Sequence, residues 1–83
     1  AADITLRLPA AVMDPDTVSI VKEAVSTRLR DETIERAIGR TVRRRGLDFS
    51  RYIQVMSALR EFAVERGVTA DEAAESLGEQ EHQ

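Results

Sequence analysis

Apolar residues along this chain recur mostly at steps of three and four, the period of helices that pack through one face. The strongest pattern runs from Asp48 to Gly67, where Phe49, Tyr52, Ile53, Met56, Leu59 and Ala63 share a helical face. Val55 and Phe62 widen that face on one side and Val64 on the other, so the apolar arc spans roughly 200°, about twice the stripe of a surface helix. Such a helix needs cover from two directions, by its own chain and by a second copy. Asp48 or Ser50 is placed to cap its start, and Gly67 to take the left-handed position past its end.

Three more helices are predicted. Asp14 as cap, Pro15 in the first turn and Asp16 at the positive end of the dipole open a helix running to about Arg30. Its apolar face holds Val18, Val21, Val25 and Leu29, with Ile20 and Ala24 beside it. The step from Leu29 to Ile34 is too long for one stripe and predicts a break near Asp31, which is placed to recap the chain. A second helix, Glu32 to Arg45, then buries Ile34, Ala37, Ile38, Thr41 and Val42 and stops at Gly46. Gly39 within it costs about 1 kcal/mol against alanine, which points to close approach by another backbone. Thr69 and Glu72 form a capping box for a last short helix that buries Ala73, Ala74 and Leu77 and is stopped by Gly78.

Only Asp3 to Pro9 has a different period. Ile4, Leu6 and Leu8 alternate with Thr5 and Arg7, as in a half-buried strand ended by Pro9. A lone strand needs a ladder, so either a partner chain supplies it or the segment is an extended arm. The expected fold is mainly α: a small four-helix domain over residues 1–78, with a strand or arm at 3–9, forming an intertwined homodimer. Residues 79–83 are expected to be a disordered acidic tail.

Composition sharpens this picture. The chain has 83 residues and no cysteine, so no disulfide or thiolate-held metal staples it. Small unstapled domains often borrow core from a partner, which again favours an oligomer. No apolar run approaches a membrane span, so a cytoplasmic protein with no membrane partner is expected. Net charge is −3, from 12 basic and 15 acidic residues, but it is unevenly spread. Between residues 36 and 51 six arginines face Asp48 alone; between 68 and 83 five acids face no Lys or Arg. Eleven of the twelve basic residues are arginine, a bias that a GC-rich bacterial genome explains better than planar bidentate chemistry does, and nothing functional follows from it.

Catalysis finds no support. His82 is the sole histidine and stands next to the last residue. The acid pairs Asp14/Asp16, Asp31/Glu32 and Asp71/Glu72 all fall at predicted helix starts, where capping accounts for them. No glycine-rich phosphate loop occurs, and no metal or cofactor is expected. The sharper signal is the arginine row. Arg36, Arg40 and Arg44 stand at i, i+4, i+8, joined by Arg43, opposite the apolar face of the second helix and followed by Arg51. Such a stripe suits a phosphate backbone. It also suits the helix itself, through a Glu32–Arg36 pair and cations at the C-terminus. A helix-turn-helix over Leu59 to Leu77 is disfavoured, because its second helix would carry Asp71, Glu72 and Glu75 towards phosphate.

The run ITLRLP, leading into two amphipathic helices, resembles the ribbon-helix-helix regulators over residues 3 to 45. In that family two copies pair their strands into a ribbon that enters the DNA major groove. The resemblance implies base-facing Thr5 and Arg7, with Ile4, Leu6 and Leu8 packed inward. The function expected is a non-enzymatic nucleic-acid-binding or regulatory protein, meeting phosphate through Arg36, Arg40, Arg43, Arg44 and Arg51. The alternative is a helical assembly module that binds an acidic or apolar protein through the wide face of residues 48–66. Ile4, Leu6, Leu8, Phe49, Tyr52, Val55 and Phe62 would form the oligomer interface.

Overall fold

The computed structural model of the chain describes residues 13–79. Within them lie four helices: α1 (Pro15–Thr27), α2 (Ile34–Arg44), α3 (Phe49–Arg66) and α4 (Ala70–Glu79). No strand occurs among the described residues. The expected strand at 3–9 and the acidic tail fall outside them, apart from Glu79 at the end of α4.

Each helix start is capped by a short polar side chain. Asp14 accepts from the Thr17 amide at 2.8 Å, with Pro15 in the first turn of α1. Thr33, not Asp31, caps α2 by accepting from the Arg36 amide at 3.2 Å. Asp48 caps α3, accepting from the Arg51 amide and the Ser50 hydroxyl. At α4 the capping box is closed in both directions: the Glu72 amide donates to the Thr69 hydroxyl and the Thr69 amide to the Glu72 carboxylate. Gly46 and Gly67, with φ of 73° and 70°, take the left-handed positions after α2 and α3. The Leu47 amide then reaches back to the Val42 carbonyl, and the Val68 amide to that of Ala63.

The break after α1 comes earlier than expected, at Thr27, and leaves Leu29 exposed. All five apolar-face residues of α2 are buried, as are Ala73, Ala74 and Leu77 of α4. They meet Ile20, Val21 and Ala24 of α1 and Val55, Met56, Leu59 and Ala63 of α3 in one core, with every pair of helices in contact. The Thr41 hydroxyl is buried among these side chains without a hydrogen-bond partner among the described residues.

Three expectations are corrected. The buried arc of α3 is turned towards Val55 and Ala58, because α1, α2 and α4 cover only that half of its circumference. Phe49, Ile53 and Val64 are left exposed, and Tyr52 and Phe62 half-buried. Gly78 does not stop α4 but lies within it, where a Cβ would come 3.1 Å from the Val25 side chain; its smallness lets α4 close on α1. Gly39 meets no backbone. A Cβ there would find only the Tyr52 ring, at 3.7 Å, an ordinary contact.

Candidate interaction surface

The arginines expected to form one row divide into two sets. Arg40 is committed to the fold. Its guanidinium donates to both Glu32 carboxylate oxygens, at 2.6 and 3.0 Å, and to the Thr27 carbonyl at 2.9 Å, tying α2 to the end of α1. Glu32 also accepts from the Leu29 amide at 3.0 Å. The Arg40 hydrogen bonds, aided by the Leu29 amide, hold the Glu32 carboxyl down to about 2. The same bond raises Arg40. The partner of Glu32 is therefore eight residues on, not Arg36 at four.

Arg45 is likewise held, donating to Glu23 at 2.7 Å and to Ser19 at 3.1 Å across the α1–α2 packing. Arg28 donates to the Glu32 carbonyl and reaches Asp71 at 3.1 Å and Glu75 at 3.6 Å on α4. Asp71 and Glu75 thus engage Arg28 rather than the row on α2. The Asp14 carboxyl is lowered chiefly by its capping hydrogen bond from the Thr17 amide, and that of Asp48 by the Ser50 hydroxyl and then the capping Arg51 amide. These acids work as caps.

Arg36, Arg43 and Arg44 form the second set. They are exposed on α2 and make no ion pair among the described residues. Arg51 is half-buried on α3, near enough to Asp14 and Asp48 for its charge to help lower both. Thr5 and Arg7, with Ile4, Leu6 and Leu8, lie outside the described residues. Of the remaining residues expected at an oligomer interface, Val55 is fully buried by the chain's own helices and offers no surface. Phe62 is half-buried under the Arg66 guanidinium, 4.5 Å above its ring. Phe49 and Tyr52 remain accessible.

Those two aromatics stack with centroids 5.4 Å apart and help line an open groove between α2 and α3. Gly39, Val42, Leu47, Phe49 and Tyr52 give its apolar lining, and Arg36, Arg40 and Arg43 with Glu32, Glu35 and Asp48 its charged lining. Phe49 is 70% exposed, Ile53 one turn along α3 is 48% exposed, and Val64 is 79% exposed. Phe49 and Ile53, one turn apart on this flank and close to the groove's arginines, are the kind of surface that marks an interaction site, while Val64 stands about three turns further on beyond Ser57 and Arg60.

Sequence reasoning identified Arg36, Arg43, Phe49 and Tyr52 but not the groove that gathers them. The signal available was Gly39, the one residue inside α2 without a side chain. Among the described residues no cluster of metal-ligating side chains occurs, and no helix is long and apolar enough to cross a membrane. Comparison with protein-family models, curated proteins and solved structures gives no match.

Proposed function

We propose that this domain is a small, non-catalytic protein-interaction module whose working surface is the α2–α3 groove with the adjoining flank of α3. The observation that carries this reading is the exposure of Phe49, Ile53 and Val64 on a helix whose opposite half forms the core. Isolated exposed apolar residues need no explanation, but Phe49 and Ile53 lie one turn apart on one flank of α3, and Phe49 stacks on Tyr52, which makes a small apolar patch of the kind that partners cover. The experiment is a selection of peptides from a random display library against the full chain. Ligands that bind the wild type and are lost on Ile53→Glu or Phe49→Glu support the reading. Failure to enrich any ligand, or ligands indifferent to both substitutions, defeats it. A homodimer is one form such a module can take, and sedimentation at rising concentration reads it directly.

A second reading is favoured by Arg36, Arg43 and Arg44, which lack ion-pair partners among the described residues and leave α2 a basic outer face. On it the chain is a nucleic-acid-binding regulator that meets phosphate through these arginines. The ribbon-helix-helix resemblance would add Thr5 and Arg7. Duplex DNA titrated at two salt concentrations tests it, since phosphate contacts make affinity fall steeply with salt.

A further inference from the structure

Gly39 is the least explained residue of the groove. In mid-helix it lowers the stability of α2 relative to alanine. Close packing does not require it, because an added Cβ would meet the Tyr52 ring only at ordinary contact distance. Gly78 shows the other case, where the neighbouring side chain lies at 3.1 Å. What the missing side chain at 39 provides is depth: a bare stretch of helix backbone beside the stacked Tyr52–Phe49 pair, open to a ligand.

The charges around this hollow are unbalanced once internal pairs are removed. Glu32 is bound by Arg40, and Asp48 keeps its charge with Arg51 close enough to help hold it. Glu35 lies 3.7 Å from Arg60. Arg36 and Arg43 stay unpaired among the described residues, three positions before Gly39 and four after it. They are therefore roughly 10 Å apart along the axis, with the hollow between them.

We infer that the groove over Gly39 docks an acidic, amphipathic helix of a protein partner. One large apolar side chain sits on Gly39 and Tyr52, and two carboxylates seven residues apart reach Arg36 and Arg43. This rests on the interaction-module reading and names the chemistry of the partner. The fit follows from matching periods. A partner helix with an acid four residues before and three residues after an apolar anchor presents all three on one face. The anchor displaces water from apolar surface, and the paired acids fix its register.

The test uses the full chain and a labelled peptide of about 15 residues, four helical turns, with leucine at its centre and glutamates at those two positions. A control peptide carries lysine in place of both glutamates. Binding is read by fluorescence anisotropy. The glutamate peptide should bind, with the lysine peptide roughly tenfold weaker or worse. Arg36→Ala with Arg43→Ala should weaken the glutamate peptide by about tenfold and flatten its salt dependence. Gly39→Ala is the deciding variant, because it should raise the melting temperature while weakening the peptide. Gly39→Leu, with its helix content checked by circular dichroism, should abolish binding. No binding of the glutamate peptide, equal binding of both peptides, or a Gly39→Ala variant that binds as the wild type does overturns the proposal. Selected peptides that lack acids yet are lost on Ile53→Glu would also overturn it, while leaving the interaction-module reading in place. Salt-sensitive binding of duplex DNA with no peptide bound would overturn both.

Discussion

The α1–α4 contact and the α2–α3 contact each contain a glycine within a helix, and they use it in opposite ways. At Gly78 the neighbouring Val25 fills the space a side chain would take, and nearby Arg28 of the α1–α2 connection ties down Asp71 and Glu75 of α4. Packing and charge close that side together. At Gly39 there is room for a Cβ, which would only touch the Tyr52 ring; Tyr52 is half-buried, Phe49 is exposed, and Arg36 and Arg43 are unpaired among the described residues. The same residue type thus marks a finished contact in one place and an unfinished one in the other. A small domain has too little interior to hide everything apolar, and here the surplus gathers on one side.

The largest effect should come from the core that both contacts share. Leu59 is fully buried where α3 meets the other helices. Leu59→Ala should cost about 2–5 kcal/mol, read as a fall in the urea midpoint at unchanged slope. A loss within about 0.5 kcal/mol would mean that α3 is not part of the folding core.

The two glycines give the next test, and its sign differs between the two sides. Gly78→Leu forces a branched side chain against Val25 and should destabilise by about 1–3 kcal/mol through overpacking. Gly39→Ala meets only ordinary contact with Tyr52 and should instead stabilise, by up to about 1 kcal/mol, through better helix propensity. Equal losses at both positions would erase the distinction between a closed and an open side.

How much of this was legible in the sequence depends on whether each partner is local. The five buried positions of α2, the three of α4, the Asp14 cap, a cap at Asp48 or Ser50 and the Thr69–Glu72 box were readable, because helical period and capping act over a few residues. The orientation of α3 was not. Its apolar arc exceeds what three neighbours can cover, and periodicity cannot say which flank they choose. Arg28 with Asp71, 43 residues apart, and Glu32 with Arg40 across the α1–α2 connection depend on tertiary placement. The split of the arginine row was therefore hidden, since Arg40 and Arg43 look alike until Glu32 is placed. The close backbone expected at Gly39 is absent, because the sequence has no signal that separates a glycine facing a backbone from one facing an aromatic ring.

Acid should unsettle the tie between α1 and α2. Glu32 is held at about 2, against an ordinary value of 4.5. A carboxyl with a lowered folded value contributes its stability fully above the unfolded value and loses it as pH falls towards the folded one. The contribution of Glu32 is thus complete above about pH 4.5 and declines between there and about pH 2. Urea midpoints across this window should drop more steeply for the wild type than for Glu32→Gln. Some acid sensitivity should survive in the variant, because Asp14 and Asp48 are shifted in the same direction. Parallel curves would show that the Glu32–Arg40 tie contributes nothing measurable.

The smallest effect is expected where the arginines serve no internal partner. Arg36→Ala and Arg43→Ala should each change stability by no more than about 0.5 kcal/mol, the usual range for exposed positions. Arg43 lies in the last turn of α2 and should show the larger of the two, since a cation there interacts favourably with the helix dipole. Arg40→Ala should exceed both, because it strips Glu32 of its cation and the Thr27 carbonyl of a donor. Urea denaturation of the three single variants at pH 7 measures all of this in one series. If Arg36 and Arg43 proved as costly as Arg40, they would be bracing the fold, and the open side would have no charge to offer a partner. If they are nearly silent, their charges are available at the groove, and any binding lost with them cannot be blamed on an unfolded domain.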